Sequence, residues 1–419
     1  MEKPTPPLAV PSEAASETTA MPDEWCARHF DHLSPDLAAT MPATMARMRE
    51  LHPVARSEEH GGFWVVSGYD EALAVAQDWA AFSSAQGLNI PRAQLVVRNL
   101  PVEADPPEQR VYKRLINPYF TPAAVEPWAE ATRALADRLI DSFIESGSCE
   151  FMNEFARPFP SLAFFQLAIN APEEDLEKVA YMASKSSTPD DPESRECWQG
   201  LFAWIRDFTR ARKDAPPRGD VVDAVVRAEI DGRPITEQEI IGTVQLLVLG
   251  GLETTAGALG LMLDRFCADP SIPALLRERP ELIPSASLEL LRLDPSFVAV
   301  ARTATRDVEV GGCPMKAGDR VLIHWASANR DVREFPDADS FDPARERNRH
   351  LSFGAGPHRC AGSNLARMNL RVALEQILTR MHDIRLADGA KVKYHRGLTR
   401  SPDTLPITFT PGPRLTPAS

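Results

Sequence analysis

A single cysteine in a glycine-rich loop constrains this chain more than any other feature. Residues 350–362 read His-Leu-Ser-Phe-Gly-Ala-Gly-Pro-His-Arg-Cys-Ala-Gly, and a helix is predicted directly afterwards, from Ser363 to Arg380. Glycines let the backbone approach a flat or bulky partner and adopt positive φ. A cysteine just before a helix N-terminus is favoured as thiolate by the helix dipole. Taken alone, the loop allows two interpretations of Cys360: a haem iron ligand or a buried structural thiol.

A second unusual stretch lies in the longest predicted helix. This helix opens at a capping box, Thr236-Glu-Gln-Glu, and reaches about Ala268. Residues 250–255 in its middle read Gly-Gly-Leu-Glu-Thr-Thr. Each glycine costs about 1 kcal/mol relative to alanine, a charged residue in a core helix needs a partner, and threonine competes for backbone carbonyls. Such clusters of locally unfavourable residues are typical of functional sites.

Composition excludes several function classes. Of the 419 residues, 43% are hydrophobic and 25% charged, as in a soluble globular protein, and the formal net charge of −13 argues against a nucleic-acid binder. The six cysteines are scattered without a Cys-x-x-Cys pair, which indicates neither a zinc site nor a disulfide framework. This pattern favours a reducing, cytoplasmic location.

The predicted domain organisation is simple. Residues 1–22 are rich in Pro, Ser, Thr, Ala and Glu and lack the pattern of a signal peptide, so we expect a disordered arm. Residues 23–419 contain no evident linker and are predicted to form one catalytic domain. No run of eighteen apolar residues occurs, so no membrane span is expected. The stretch 85–100 lacks periodicity, which is typical of a functional or disordered loop.

The cysteine loop resembles the haem-binding signature of the cytochrome P450 family. The shared pattern, Phe-x-x-Gly-x-His-x-Cys-x-Gly, spans ten positions and places five residues in register: Phe353, Gly356, His358, Cys360 and Gly362. Residues 250–255 resemble the oxygen-activation segment of the family's long central helix. The similarity extends over about residues 35–411.

Two further motifs of the same family occur in the expected order. Glu289-x-x-Arg292 resembles the family's Glu-x-x-Arg pair, and Arg345 stands where the third member of that triad is expected. Arg302 and His358 stand where haem propionates are usually held. Four motifs in order favour the haem-ligand interpretation of Cys360 strongly over a buried thiol.

The resemblance implies a mainly α fold with small β-sheets, the triangular-prism haem-thiolate fold, and haem b (iron protoporphyrin IX) as cofactor. Cys360 would be the axial iron ligand, and its thiolate would favour O–O bond cleavage. Phe353 would pack on the ring or the sulfur, or belong to the plain core. Further cofactor contacts are implied for six residues besides Arg302 and His358: Gly356, Gln109, Lys113, His350, Gly250 and Gly251.

Thr254 and Glu253 are the predicted proton-delivery pair. The threonine hydroxyl would hold a proton-bearing group beside the oxygen, and the adjacent carboxylate would pass protons from solvent. The two preceding glycines would leave room for the oxygen. The alternative is a threonine bonded only to its own helix. Glu289, Arg292 and Arg345 are expected to form a buried charge network with a structural role.

Among bacterial members, the chain looks most similar to soluble camphor and related monoterpene hydroxylases. The shared stretches are residues 105–110 (Asp-Pro-Pro-Glu-Gln-Arg), 233–236 (Arg-Pro-Ile-Thr) and 250–252. The chain departs from that pattern at Gln109, where many bacterial members have histidine, at Lys113, where arginine is expected, and at Val300, where aspartate is expected. Lysine makes a less specific contact than arginine.

The substrate pocket is predicted to be mostly apolar, which favours a compact hydrophobic substrate such as a terpenoid. Stretch 85–100 is expected to select the substrate. The candidate lining residues are Val97, Leu246, Leu249, Phe297, Val298, Val300 and Leu398. The camphor-type enzyme has a tyrosine near Val97, and its absence here argues against camphor itself.

Electrons are expected from outside, because the chain has no flavin-binding module. The resemblance implies a two-iron, two-sulfur ferredoxin and its NAD(P)H reductase. A basic patch on an acidic protein suits an acidic donor, although a solvated charged face is the simpler alternative. The predicted patch consists of Arg110, Lys113, Arg114, Arg359 and Arg367.

The sequence thus predicts a monomeric, cytoplasmic haem-thiolate monooxygenase that uses O2 and an external ferredoxin. Two alternatives remain. A peroxide-driven peroxygenase is disfavoured by the intact Glu253-Thr254 pair, since peroxide users have less need of a proton relay. A non-catalytic haem sensor would be expected to carry a signalling or DNA-binding motif, and none is visible.

Overall fold

A computed structural model describes residues 27–93, 97–186 and 192–415, so the predicted N-terminal arm, residues 1–22, lies outside the described residues. Helices dominate this part of the chain. The α-helices are α1 (Pro35–Leu51), α2 (Tyr69–Gln77), α3 (Glu108–Ile116), α4 (Pro122–Val125), α5 (Ala129–Asp141), α6 (Pro158–Ala163), α7 (Leu176–Ser186), α8 (Ser194–Asp214), α9 (Val221–Val226), α10 (Glu237–Ala268), α11 (Ser271–Glu278), α12 (Ile283–Leu293), α13 (Trp325–Ala328) and α14 (Ser363–Arg380).

The strands are short and form small sheets. They are β1 (Val54–Ser57), β2 (Phe63–Val66), β3 (Phe82–Ser83), β4 (Ser148–Glu150), β5 (Glu229–Ile230), β6 (Arg233–Pro234), β7 (Ala299–Ala304), β8 (Val308–Val310), β9 (Cys313–Met315), β10 (Arg320–His324), β11 (His382–Leu386) and β12 (Pro406–Thr410). The mainly α fold with small sheets is therefore confirmed. Residues 85–93 and 97–100 form neither helix nor strand, as the sequence predicts.

The described residues group into two compact units that interleave along the chain. Unit one contains residues 27–93, Ala274–Arg359 and Arg396–Arg400. Unit two contains residues 97–273, Cys360–His395 and 401–415. The chain passes from unit one to unit two at the peptide bond between Arg359 and Cys360. The single catalytic domain over residues 23–419 stays a prediction.

Unit one is built around a five-stranded sheet with the order β1-β2-β10-β7-β3. β10 runs parallel to β2 and antiparallel to β7. All six residues of β7 are buried, so the strand is covered on both faces. Successive side chains point to opposite faces: Val300 packs into one hydrophobic cluster, and Ala299 and Ala301 pack into another.

Unit two is built around α10 and carries a second sheet with the order β11-β12-β4. The capping box is confirmed: the Thr236 side chain accepts a hydrogen bond from the Glu239 N–H, and the Glu239 carboxylate accepts one from the Thr236 N–H. The helix then continues unbroken to Ala268 and packs against α6, α8 and α14.

By length and composition alone, α10 is the one helix in the described part of the chain that is apolar enough to cross a membrane. However, 61% of its most apolar window is buried inside the protein. A mostly buried core helix of a soluble protein passes the same test, so this is weak evidence for a membrane span.

Candidate functional site

Cys360 differs from the other cysteines that the structure describes. It is exposed, whereas Cys149 and Cys197 are buried and Cys267 and Cys313 are partly buried. Burial raises the pKa of the Cys149 thiol and raises that of Cys267 to about 12, which keeps both protonated. Cys360 instead stands two residues before Gly362, the N-cap of α14, where the helix dipole favours a thiolate.

The loop before Cys360 is shaped by glycines. Gly354 and Gly356 both have φ of +65°, a conformation that favours glycine. A Cβ on Gly356 would lie 2.4 Å from the backbone oxygen of Ala76, near the end of α2. Gly356 therefore lets the loop lie against the backbone at the end of α2. The rings of His350 and Phe353 lie 5.5 Å apart between centroids.

The two residues expected to hold propionates both lie in unit one. The His358 ring nitrogen Nε2 lies 3.1 Å from the hydroxyl of Ser84, a fully buried residue. Arg302 lies on β7 with 3% of its surface exposed, and its Nη1 donates to the backbone oxygen of Ala301 at 2.8 Å. Sequence reasoning missed Ser84, whose only signal is its position at the edge of the irregular stretch.

The residues of helix α3 that were predicted to contact the cofactor or the redox partner differ in exposure. Gln109 is buried and Lys113 is half-buried, whereas Arg110 and Arg114 are exposed. The buried Gln109 lies on the face that also buries Tyr112. Two other members of the predicted basic patch lie elsewhere in the chain: Arg359 is exposed at the end of the cysteine loop, and Arg367 is half-buried on α14.

The two glycines in the middle of α10 have different surroundings. A Cβ added to Gly250 would meet nothing within 4 Å, so this position faces open space. A Cβ added to Gly251 would lie 2.8 Å from the Phe164 ring. The sequence predicted that both glycines leave room for oxygen. Gly251 instead allows α10 to pack closely on Phe164.

The Thr254 side chain makes a hydrogen bond within its own helix, as in the alternative interpretation of this residue. Its hydroxyl donates to the backbone oxygen of Gly250 at 2.9 Å, one turn earlier in the same helix. The next residue toward the N-terminus, Glu253, lines a small pocket in unit two. The other residues that line this pocket include the polar side chains of Arg157, Ser161 and Ser401.

In unit two, the predicted substrate loop lies directly on α10. The Leu100 N–H donates to the Gly242 oxygen at 3.3 Å, and the Gln245 amide donates to the Asn99 side chain at 2.8 Å. A Cβ on Gly242 would lie 2.1 Å from the Arg98 oxygen and 3.2 Å from the Val97 side chain. Gly242 therefore permits the contact that brings Val97 to the helix. Leu246 and Leu249 are partly exposed further along α10.

In unit one, the remaining pocket candidates fall into two groups. The Val298 N–H donates to the Leu398 oxygen at 2.8 Å, and both side chains belong to one hydrophobic cluster. Val300 points to the other face of β7, where it is buried in the second cluster with Phe297 packed against it. With 4% of its surface exposed, Val300 is a core residue of this unit.

The predicted charge network is present in unit one. Arg292 donates to both oxygens of Glu289 at 2.8 and 2.9 Å, and Arg345 donates to the same carboxylate at 3.1 Å. Glu289 and Arg292 are 1% and 0% exposed. Asn348 donates a further bond to Glu289 at 3.1 Å, a contact that no motif in the sequence indicated.

Comparison with known proteins identifies the family. The family model described as Cytochrome P450 matches residues 282–382. The steroid C26-monooxygenase of Mycobacterium tuberculosis is 30% identical over 380 residues, covering 88% of this chain and all of that protein. The chain belongs to the cytochrome P450 family. The nocardicin C N-oxygenase of Nocardia uniformis is 36% identical, covering 83% of this chain and 89% of its own.

Solved P450 structures agree with this assignment. Mycobacterium marinum cytochrome P450 CYP150A6 in the substrate-free form superposes with a TM-score of 0.80 at 30% identity, covering 93% of this chain and all of that one. The family uses haem b, and its members are monooxygenases or hydroxylases, so this P450 is an oxidoreductase that acts on a small molecule with O2 and redox partners.

The residues present fit a haem. The exposed thiol of Cys360 at a helix N-terminus offers the sulfur ligand that P450 chemistry needs. At Gly356 the preceding loop lies close against the backbone at the end of α2, and Gly250 faces open space on α10. When bound, haem with a thiolate ligand supplies the activation of O2 for insertion into a C–H bond.

Proposed function

We propose that this P450 hydroxylates a compact, hydrophobic, terpenoid-like molecule, using O2 and electrons from an external ferredoxin. The observation that carries the proposal is the exposed thiol of Cys360 at the start of α14, among described cysteines that are otherwise at least partly buried. In this proposal the enzyme is a cytoplasmic monomer. Turnover driven by hydrogen peroxide is much slower than turnover driven by ferredoxin and O2.

Cys360 is the axial ligand in this proposal. The N–H groups at the start of α14 stabilise the negative charge on its sulfur. Phe353 packs on the haem ring, and the guanidinium of Arg302 and the ring of His358 bind the propionates. Ser84 positions His358 through the 3.1 Å contact. Gln109, Lys113 and His350 contribute secondary cofactor contacts.

Thr254 and Glu253 deliver protons. The Thr254 hydroxyl donates to the Gly250 oxygen in this structure, and rotation about the Cβ–Oγ1 bond turns the same hydrogen toward the open space beside Gly250. Glu253 lies beside a pocket whose polar lining, Arg157 and Ser161 among it, suits water. Water in that pocket therefore supplies protons to the Glu253 carboxylate, and the carboxylate passes them on to the Thr254 hydroxyl.

The proposed substrate preference rests on the apolar side chains predicted to line the pocket, some in unit one and some in unit two. Val97, Leu246 and Leu249 lie along or against α10, and Phe297, Val298 and Leu398 surround the start of β7. Few polar groups occur among them, so binding relies on burial of apolar surface. One relative is named steroid C26-monooxygenase, which supports a hydrophobic substrate. The Gln245–Asn99 hydrogen bond holds the substrate loop on α10.

Electron delivery is assigned to the basic residues of α3 and of the cysteine loop. Arg110, Arg114 and Arg359 are exposed, on a protein with a net charge of −13. Local positive charge on an acidic protein attracts an acidic ferredoxin and orients it.

The test combines a binding screen with a choice of oxidant. Purified haem-loaded protein is screened with terpenoids, fatty acids and aromatics for the spectral shift that accompanies substrate binding. The best ligand is then turned over with either NADH, ferredoxin reductase and ferredoxin, or hydrogen peroxide. We expect terpenoids to give the largest shift and the ferredoxin system to give hydroxylated product at a rate that falls as salt is raised.

Two results would contradict the proposal. Faster turnover with peroxide than with ferredoxin would favour the peroxygenase alternative. A preference for fatty acids or polar aromatics would overturn the substrate class while leaving the monooxygenase assignment in place.

A further inference from the structure

A cluster of one carboxylate and two imidazoles lies in unit one, within the segment that precedes α1 and the turn between β1 and β2. One ligand atom from each of Asp31, His32 and His60 lies within 4.8 Å of the other two. The His60 Nε2 and the Asp31 Oδ1 are 2.8 Å apart. Two imidazole nitrogens and a carboxylate oxygen are a ligand set that Zn²⁺ prefers.

His32 supplies the observation that points to a ligand. Only 2% of its surface is exposed, and its Nδ1 is a buried atom with no hydrogen-bond partner among the described residues. The ring also makes a hydrogen bond with the backbone of Ile90. Because Nδ1 takes no part in that bond, Nε2 is the donor, and Nδ1 carries a lone pair. An unpartnered buried nitrogen is costly unless it binds something.

The surrounding backbone holds these three side chains in place. The Leu33 N–H donates to Asp31 Oδ1 at 2.9 Å. The Ser57 hydroxyl donates to the Phe30 oxygen at 2.8 Å, which fixes the segment against the end of β1. The His32 ring packs edge-on against Phe63 of β2, with centroids 5.8 Å apart. Ligands supported in this way lose little entropy when a metal binds.

We propose that Asp31, His32 and His60 bind one Zn²⁺ ion, with water as the fourth ligand. His32 binds through Nδ1 and His60 through Nε2. The His60 proton that now faces Asp31 moves to Nδ1 of the same ring, so the metal takes the place of the Asp31–His60 hydrogen bond with no net change in the protonation of the imidazoles. The carboxylate neutralises half of the ionic charge.

The site links two parts of the chain that are about thirty residues apart in sequence. A bound ion therefore fastens the segment before α1 to the β1–β2 turn. This role is structural and separate from haem chemistry, because every ligand lies outside the residues assigned to haem, protons or substrate. Binding to the folded state alone stabilises it.

The test uses untagged, haem-loaded protein and ZnCl2. The protein is incubated with zinc and dialysed, and zinc is then measured by elemental analysis against haem iron as an internal standard. Calorimetry gives the affinity, and thermal unfolding with and without zinc gives the stabilisation. We expect one zinc per haem iron, and no binding of Mg²⁺, which prefers oxygen ligands.

The variants are His60→Ala and Asp31→Asn, because His32 is so buried that its replacement risks misfolding. Each removes a direct ligand, so each is expected to weaken zinc binding by at least about 100-fold, the upper effect of losing an outer-shell partner. Each should also abolish the rise in melting temperature, with the haem spectrum unchanged. His52→Ala is the control: His52 is an exposed histidine outside the cluster and should leave zinc binding unchanged. Wild-type protein without stoichiometric zinc, or His60→Ala with unchanged affinity, would overturn the proposal.

Discussion

Two glutamates, each a charged residue in a largely apolar helix, have opposite surroundings. Glu289 on α12 is 1% exposed, and its carboxylate is bonded by Arg292, Arg345 and Asn348. Glu253 on α10 is partly exposed and lines a pocket. The Glu289 carboxylate is closed off from solvent by its hydrogen-bond donors. A carboxylate that borders a pocket can meet the water through which protons travel.

The same contrast separates stability from chemistry in the rest of the molecule. The network around Glu289 also uses the backbone oxygens of Asn329 and Ala338, which Arg292 bonds at 2.9 and 2.6 Å. It therefore fixes the course of the chain in unit one. Gly250 on α10, by contrast, faces open space. Replacing residues of the Glu289 network should strongly destabilise the fold, whereas replacing Glu253 or Thr254 should leave the fold intact.

The largest expected effect comes from the same substitution made in both regions. Glu289→Gln leaves the buried Arg292 without its counter-charge and is expected to lower the free energy of unfolding by about 3–5 kcal/mol. Glu253→Gln should change stability by less than about 0.5 kcal/mol but slow product formation by about 100-fold, because the amide cannot transfer protons. Denaturant unfolding and steady-state turnover measure the two effects.

Glu237→Gln is the control for Glu253, since Glu237 is an exposed residue in the first turn of the same helix. It should affect neither stability nor turnover appreciably. If Glu253→Gln were as destabilising as Glu289→Gln, or fully active, the division between the two regions would be wrong.

Thr254→Ala tests the proton-handling segment at its second residue. The variant should bind haem and substrate normally but release most of its reducing equivalents as hydrogen peroxide, because the hydroxyl that supplies the proton is gone. The measurement compares product formed with NADH consumed. Thr243→Ala removes a hydroxyl that makes the same kind of bond one turn back, to Glu239, and should keep its coupling. Full coupling in Thr254→Ala would refute the assignment.

The smallest expected effect comes from the two adjacent glycines. Gly250→Ala places a methyl group in open space and should raise stability by up to about 1 kcal/mol through helix propensity. Gly251→Ala brings Cβ within 2.8 Å of the Phe164 ring and should cost about 1–3 kcal/mol. Thermal unfolding of the two variants compares them directly. Equal stabilities would show that Gly251 is not required for packing.

Features that depend on local spacing could be predicted from the sequence. The capping box set the start of α10, and the three-residue spacing of Glu289 and Arg292 placed both on one helical face. The loop around Cys360 was recognisable because its glycines and cysteine have fixed separations. The fold and the family followed from these motifs.

Features that depend on contacts between distant segments could not be predicted. Ser84 reaches His358, and Asn348 reaches Glu289, across many residues and without a sequence signature. Gly242 carries no sequence signal that distinguishes it from other positions of the helix, yet it allows the backbone of Arg98 to lie on α10. The roles of Gly250 and Gly251 also depended on what each position faces, which helical periodicity alone does not determine.

The ligation of iron by Cys360 is the central claim, and a spectrum of the reduced, carbon-monoxide-bound protein tests it most directly. The wild type and Cys313→Ser, which alters a partly buried thiol bonded to Val54, should both show the strongly red-shifted Soret band of thiolate-ligated haem. Cys360→Ser should lose that band while retaining its secondary structure. The same red-shifted band in Cys360→Ser, or its absence from intact wild-type protein, would contradict the account.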